Sequence, residues 1–206
     1  MKTEGCPSVP TRQTVFDYDR VLVAFHGTNR ETAEKLIAGV PFDVSKNDDD
    51  WLGHGVYFWE HAPHQAWWWA NRRYGPDAAV VGALVRLGRC LDLLDPSNTI
   101  LLKDAHRDLE CALLVIGRVL QHNANNHKFR DCAVFNYLFA SLKQSGVDYD
   151  SVRAVFVPTS TRGLPRLWDR SGVFSNAHIQ ISVRNPNSIL AVWPVKRSGL
   201  YGKDDP

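Results

Sequence analysis

Three polar residues lie on three separate runs that are typical of β-strands. His26 follows the apolar run Val21–Phe25, Tyr57 lies in an aromatic run, and Gln180 lies between two isoleucines. Strand interiors normally use such positions for packing or for contact with solvent. If the three strands converge, an imidazole, a phenol and an amide would line one slot that could bind a polar ligand containing a ring.

Each of these residues also has a simpler explanation when it is considered alone. His26 precedes Gly-Thr and could be an ordinary turn residue. Tyr57 could belong to the core, with its hydroxyl satisfied locally. Gln180 could lie on the solvent face of an alternating strand.

The elements that must position these residues alternate between strands and helices. Thr28 and Glu31 have capping-box spacing, which predicts a helix after the His-Gly turn. An apolar stripe that continues to Leu120 predicts a long helix after a Ser97 cap. The patterns predict strands at 21–25, 53–59, 80–87, 90–94 after a break at Gly88, 152–157, 179–183 and 189–195, and helices at 29–38, 64–74, 97–120 and 132–142.

Strand pairs flank a helical middle, and no repeat or interdomain linker interrupts the chain. This order predicts an α+β fold: a split antiparallel β-sheet with flanking helices and an inserted helical segment. We expect one domain at 21–196, preceded by an arm at 1–20 and followed by a tail at 197–206.

The composition places limits on the class of protein. With 206 residues, 44% of them apolar and 22% charged, the chain is ordinary for one globular domain. The four cysteines form no CxxC pair, which favours free thiols in a reducing compartment. No apolar run suggests a signal peptide or membrane span, so we expect a soluble cytoplasmic protein. A net charge of +2 is too small to indicate nucleic-acid binding by itself.

Two strings of residues point to a known family. Phe-His-Gly-Thr at 25–28, followed by Leu-Gly-His-Gly-Val-Tyr-Phe at 52–58, resembles the ADP-ribosyltransferases of the diphtheria-toxin and poly(ADP-ribose)-polymerase branch. That branch is recognised by a His, Tyr, Glu triad and by small residues where Ala66 and Ala70 stand here. The resemblance covers 21–195 and extends to uncharacterised bacterial proteins that share Gly-His-Gly-Val-Tyr-Phe-Trp-Glu and His-Ile-Gln-Ile.

The resemblance implies that NAD⁺ is the co-substrate, and it implies a role for each matching residue. His26 would hydrogen-bond the adenosine ribose, and the Gly27 backbone would bind the nicotinamide carboxamide at close approach. Tyr57 would stack on the nicotinamide ring. Thr28 and Ser45 are candidates for contact with ribose or phosphate. We expect no metal, because the spacing of the histidines matches no metal-binding motif.

The third member of the triad departs from the family pattern, because Gln180 stands at or beside the place of the usual glutamate. Cleavage of the nicotinamide–ribose bond passes through an oxocarbenium-like sugar, which a carboxylate stabilises. A neutral amide accepts a hydroxyl hydrogen bond but supplies no charge. We therefore expect single transfer rather than polymer elongation. Glu60 is an alternative catalytic carboxylate, or else an acid favoured by a helix N-terminus.

The connection at 158–176 carries the candidate acceptor-binding residues Arg162, Arg166, Trp168 and Arg170. In the family, a loop entering the third catalytic strand contacts the acceptor. Guanidinium groups beside an aromatic ring suit phosphate contact and base stacking, which favours an RNA or DNA acceptor. A solvated loop without a role in binding is the alternative.

Taken together, the residues and the resemblance predict an NAD⁺-dependent mono-ADP-ribosyltransferase with a nucleic-acid or protein acceptor. We expect a bacterial toxin or phage-defence effector, with an antitoxin or immunity protein as a possible partner. Two alternatives keep the same pocket: an NAD⁺ glycohydrolase or an RNA 2′-phosphotransferase. A third is a catalytically inactive module that binds NAD⁺ or a partner.

Overall fold

The strands and helices follow the predicted order. The computed structural model describes residues 17–124, 127–158 and 166–197. The strands are β1 (Asp17–Asn29), β2 (Val56–Glu60), β3 (Ala78–Asp92), β4 (Ser151–Phe156), β5 (His178–Val183) and β6 (Ile189–Pro194). The α-helices of the described residues are α1 (Arg30–Ile37), α2 (Pro63–Tyr74), α3 (Thr99–Val115) and α4 (Phe129–Gln144).

The six strands form one sheet in the order β1-β2-β5-β4-β3-β6, and β1 also pairs with β3. Every pairing is antiparallel except that of β3 with β4. The prediction of a single α+β domain with a mostly antiparallel sheet is therefore confirmed. The pairing of β1 with β2 involves only Ala24 with Glu60 and Phe25 with Trp59, whereas β1 pairs with β3 along most of its length.

The beginning of the described chain differs from the prediction at two points. β1 begins at Asp17, so residues 17–20 belong to the strand rather than to an arm. The N-cap of α1 is Asn29 and not Thr28, because the Asn29 side chain accepts a hydrogen bond from the Thr32 amide at 2.8 Å. Thr28 remains a buried residue of β1.

Glycines explain two further differences. The predicted strands at 80–87 and 90–94 are one continuous strand, β3, in which Gly88 adopts a φ of 56°. A residue without a Cβ adopts this conformation without strain, so the strand continues through Gly88, next to a shift in its register with β1. Helix α3 ends at Val115, five residues before Leu120, because Gly117 with a φ of 69° closes its last turn.

Apolar clusters cover both faces of β2. Phe58 belongs to an inner cluster, formed by β1, β2, β3 and β5 with Ala33 and Leu36 of α1. Tyr57 packs instead against a cluster built mainly by α3 and α4. Successive side chains of a strand point to opposite faces, so these two clusters lie on opposite sides of β2. None of the helices in the described ranges is long and apolar enough to span a bilayer.

A buried ion-pair network connects three strands. Arg153 of β4 donates to both carboxylate oxygens of Glu60 in β2, at 2.5 and 2.8 Å, and to Asp92 of β3 at 3.0 Å. The three side chains are only 7–8% exposed. Hydrogen bonding to Glu60 raises the pKa of Arg153 further above its already high value. The bidentate contact with Glu60 joins the end of β2 to β4, and the bond to Asp92 joins β4 to β3.

Replacing Arg153 by methionine should strongly destabilise the fold. Arg153→Met leaves the buried carboxylates of Glu60 and Asp92 without a positive partner, which should lower the free energy of unfolding by about 3–5 kcal/mol. Urea denaturation would measure this change. Lys35→Met, which removes an exposed ion pair with Glu31, is the matched control and should have little effect. Equal losses in the two variants would contradict a structural role for the buried network.

Candidate functional site

The imidazole of His26 is attached to the backbone of β2. Its Nδ1 lies 2.8 Å from the Tyr57 carbonyl oxygen, beyond the last residue pair that joins β1 to β2. A carbonyl only accepts hydrogen bonds, so Nδ1 carries the proton. In the neutral ring Nε2 is therefore an acceptor. Within the described part of the chain, no group hydrogen-bonds Nε2.

The surroundings of His26 keep its ring neutral. The partly buried ring lies edge-on to Phe42 with a centroid distance of 5.3 Å, and it is tilted against Phe58 at 5.6 Å. Burial lowers the pKa of His26, outweighing the hydrogen bond to the Tyr57 carbonyl, which raises it. The side chain consequently acts as a hydrogen-bonding group rather than as a cation.

Gly27 lies directly beneath helix α2. A Cβ at this position would be 2.5 Å from the Ala66 carbonyl oxygen and 3.2 Å from the Ala70 Cβ. Both alanines are completely buried, so the small residues predicted in this helix serve its close packing on β1. Thr28, the next residue, is also buried.

The hydroxyl of Tyr57 forms hydrogen bonds with the loop that precedes β2. It accepts a hydrogen bond from the Leu52 amide at 2.9 Å and donates one to the Gly53 carbonyl at 2.8 Å. Burial raises the pKa of this hydroxyl above its ordinary value. The simpler explanation, in which the Tyr57 hydroxyl finds its hydrogen-bond partners within the protein, is thus confirmed. Only the ring is left for contact with a ligand.

The amide of Gln180 is buried and held from both sides. Its Oε1 accepts from the Trp51 indole at 2.8 Å, and its Nε2 lies 2.9 Å from His178 Nε2. The alternative that placed Gln180 on a solvent face is therefore wrong, since only 9% of the residue is exposed. Trp59 pairs with Gln180 and Tyr57 with Ser182, so Tyr57 and Gln180 are diagonal neighbours on one face.

The three predicted residues thus lie on adjoining strands but not on a single face. Tyr57 and Gln180 share the face covered by α3, α4 and α2. The His26 ring lies beside Phe58 of the inner cluster and reaches Tyr57 through its backbone carbonyl. His26 and Tyr57 lie just beyond the last pair of β1 with β2, Phe25 with Trp59, and Gln180 pairs with that Trp59.

Glu60 does not join the other three. Both of its oxygens bind Arg153, and strand alternation places it on the face opposite Tyr57 and Gln180. It lies at the end of β2 rather than in a helix. The structure therefore favours an ion-pair role over that of a free catalytic carboxylate. Within the described residues, no group of three or more His, Cys, Asp or Glu side chains could hold a metal ion.

Ser45 lies in the loop before β2. It forms an isolated bridge with Gly55, its hydroxyl donates to Asp50 at 3.1 Å, and it accepts from Asn47 at 2.8 Å. These contacts assign Ser45 to the organisation of the loop, where its hydroxyl already has partners.

The described part of the arginine-rich connection is a turn that leads into β5. The Arg166 guanidinium donates to the Ser171 carbonyl and stacks 5.0 Å above the Phe174 ring. Trp168 is 63% exposed, and the exposed Arg170 lies 3.6 Å from Asp169. Arg162 lies outside the described residues. The turn thus presents an indole and a guanidinium next to the strand that carries Gln180.

Sequence reasoning missed two partners of the candidate site, Trp51 and His178. His178 precedes Gln180 by two residues in a strand, so period-two alternation would have placed both side chains on one face. Trp51 lies 129 residues from Gln180 in a polar loop, where no periodic pattern signals a contact.

Comparison with known proteins identifies a relative but no family. The chain is 27% identical to an uncharacterized protein of Methanocaldococcus jannaschii, over 82% of this chain and 84% of that protein. No family model matches the chain. No solved structure matches it either. The similarity spans most of both chains, so it is not limited to one short motif.

Removing the Tyr57 hydroxyl should destabilise the protein. Tyr57→Phe leaves the amide of buried Leu52 and the carbonyl of buried Gly53 unpaired, which should lower the free energy of unfolding by about 1–3 kcal/mol. Chemical denaturation would measure the loss. Tyr137→Phe is the control, because none of the described residues hydrogen-bonds the Tyr137 hydroxyl. A Tyr57→Phe variant as stable as this control would argue against the two hydrogen bonds.

Proposed function

We propose that the chain is an NAD⁺-dependent mono-ADP-ribosyltransferase with an ADP-ribosyltransferase-like split sheet. The observation that carries the proposal is the placement of His26, Tyr57 and Gln180 on the adjoining strands β1, β2 and β5. The hydrogen bond from His26 to the Tyr57 carbonyl joins the first two of these residues.

The available groups suit the parts of NAD⁺. His26 Nε2 is an acceptor for a hydroxyl of the adenosine ribose, because its ring is neutral with the proton on Nδ1. The Tyr57 ring supplies an aromatic surface for nicotinamide, and offset stacking contributes about 0.5–1.5 kcal/mol beyond burial. Gln180 shares the face of Tyr57 and supplies an amide for the nicotinamide ribose.

The charges support single transfer rather than polymer formation. Gln180 is neutral, and the charge of Glu60 is compensated by Arg153. The oxocarbenium-like sugar would therefore be stabilised by dipoles rather than by a free carboxylate. Elongation, which depends on a carboxylate in the family that the sequence resembles, is not expected.

For the acceptor we favour RNA or DNA over protein. Trp168 and Arg170 are exposed on the turn before β5, and an indole beside a guanidinium suits a stacked base and a phosphate. An enzyme of this kind would act in the cytoplasm as a toxin or phage-defence effector. An antitoxin or immunity protein would then be its regulatory partner.

A second candidate is a module that binds NAD⁺ without chemistry. It is favoured by the hydrogen bonds of Gln180, whose oxygen and nitrogen both have partners within the protein. Such an amide could shape a pocket without contributing to bond cleavage.

Labelling of a cell lysate with radioactive NAD⁺ tests the proposal. His26→Ala and Tyr57→Ala should each reduce the label by about tenfold or more, because each removes a contact to the dinucleotide. His106→Ala and Tyr137→Ala are matched controls on α3 and α4, and circular dichroism would establish that every variant folds. Nuclease or protease treatment of the labelled material would identify the acceptor.

Two further measurements and the labelling of the variants separate the alternatives. Release of nicotinamide by the pure protein without any acceptor would indicate a glycohydrolase. Measurable binding of NAD⁺ that stays intact in the lysate would favour the binding module. Undiminished labelling in both active-site variants would rule out this site as the source of the activity.

A further inference from the structure

Four residues form a continuous hydrogen-bond chain around Gln180, which we call the amide chain: Trp51, Gln180, His178 and Asn176. The Trp51 indole nitrogen lies 2.8 Å from Gln180 Oε1, and Gln180 Nε2 lies 2.9 Å from His178 Nε2. His178 Nδ1 lies 2.7 Å from the Asn176 carbonyl oxygen. The chain thus runs from the loop before β2 across the start of β5.

The chemistry of the two end groups fixes the direction of every bond. The indole N–H only donates, so the Gln180 oxygen must face Trp51. The Asn176 carbonyl only accepts, so His178 Nδ1 carries a proton and Nε2 of the neutral ring accepts from the Gln180 nitrogen. Reversing the amide would place an N–H against the indole N–H and a carbonyl oxygen against the Nε2 lone pair.

With a neutral His178 ring, this arrangement fits an amide at position 180. The position requires one acceptor, toward Trp51, and one donor, toward His178. A carboxylate accepts only, so a glutamate would satisfy Trp51 but would oppose the lone pair of a neutral His178. The hydrogen-bond partners of Gln180 therefore suit an amide, and not only the absence of the family's glutamate.

Aromatic packing holds the two partners of Gln180 in place. Phe156 of β4 contacts the Trp51 ring at a centroid distance of 5.3 Å and the His178 ring at 5.3 Å. Among the described residues, Phe156, Asn176 and Gln180 form the ring and hydrogen-bond contacts of His178, and none of these three titrates. Burial lowers the pKa of His178, outweighing its hydrogen bond to Asn176, so the ring stays neutral at physiological pH.

We propose that Trp51 and His178 are positioning residues that hold the Gln180 amide in one orientation, with its remaining oxygen lone pair available to a ribose hydroxyl of the bound dinucleotide. The role of the amide toward the dinucleotide rests on the proposed function. The orientation itself does not, because both ends of the amide chain are fixed within the protein.

Nitrogen-15 NMR of the ligand-free protein tests the amide chain independently of any activity. At neutral pH, His178 should be the neutral tautomer with its proton on Nδ1. Gln180→Leu should shift the Trp51 indole resonance, whereas Trp68→Phe, at an exposed tryptophan of α2, should leave it unchanged. A His178 proton on Nε2, or an unmoved Trp51 resonance, would overturn the amide chain whether or not the protein turns over NAD⁺.

Steady-state NAD⁺ turnover tests the positioning role. Trp51→Phe should reduce kcat by about tenfold with little change in KM, since it frees the amide without removing a contact to the ligand. Trp68→Phe is the matched control and should keep both constants. His178→Gln, which retains an acceptor, should keep more of the wild-type kcat than His178→Leu. A loss confined to KM, or equal losses in the glutamine and leucine variants, would overturn positioning.

The pH dependence of NAD⁺ turnover is a further measurement, which a purely structural role of His178 would not change. Protonation of His178 places an N–H against the Gln180 N–H, so wild-type turnover should fall as the pH drops through the lowered pKa of His178. His178→Gln should lack this loss. A wild-type protein without turnover at any pH would contradict the proposed function, while the NMR measurements would still decide the orientation of the amide.

Discussion

The buried guanidinium of Arg153 fixes the register on which the remaining arrangement depends. It binds Glu60 at the end of β2 through two hydrogen bonds and Asp92 at the end of β3 through a third. A shift of β2 by one residue would move its carboxylate to the opposite face and break this network. The same register places Tyr57 beneath α3 and α4 and Phe58 in the inner cluster. The ion pairs thus determine which side chains of β2 face the candidate site.

Much of the fold could be predicted because its strands and helices have regular apolar patterns. The prediction failed at two glycines: Gly88 was expected to end a strand that in fact continues through it, and Gly117 ends α3 before its apolar stripe ends. Arg153 lies between a valine and an alanine in a strand, where only its charge distinguishes it. Its partners are separated from it by 61 and 93 residues, so no local pattern identifies them.

The strings around His26, Tyr57 and Gln180 pointed to three side chains, and the structure places them on adjoining strands. Their hydrogen-bond partners could not be predicted from those strings. Hydrogen-bond partners depend on the register between distant strands, which a single strand does not reveal. The contact of Trp51 with Gln180 was missed because Trp51 lies in a loop without a periodic pattern, whereas His178 could have been found from alternation along β5.

The division of the site between two faces constrains the shape of a ligand that would touch all three residues. The His26 ring belongs to the side of Phe58, whereas Tyr57 and Gln180 belong to the side of the helices. Pairing between β1 and β2 stops at Phe25 and Trp59, just before His26. A ligand reaching both sides must therefore extend across this junction, with a hydrogen-bonding group at one end and a ring at the other. In the proposed function NAD⁺ meets this requirement, because a flexible pyrophosphate separates its adenosine from its nicotinamide ribose.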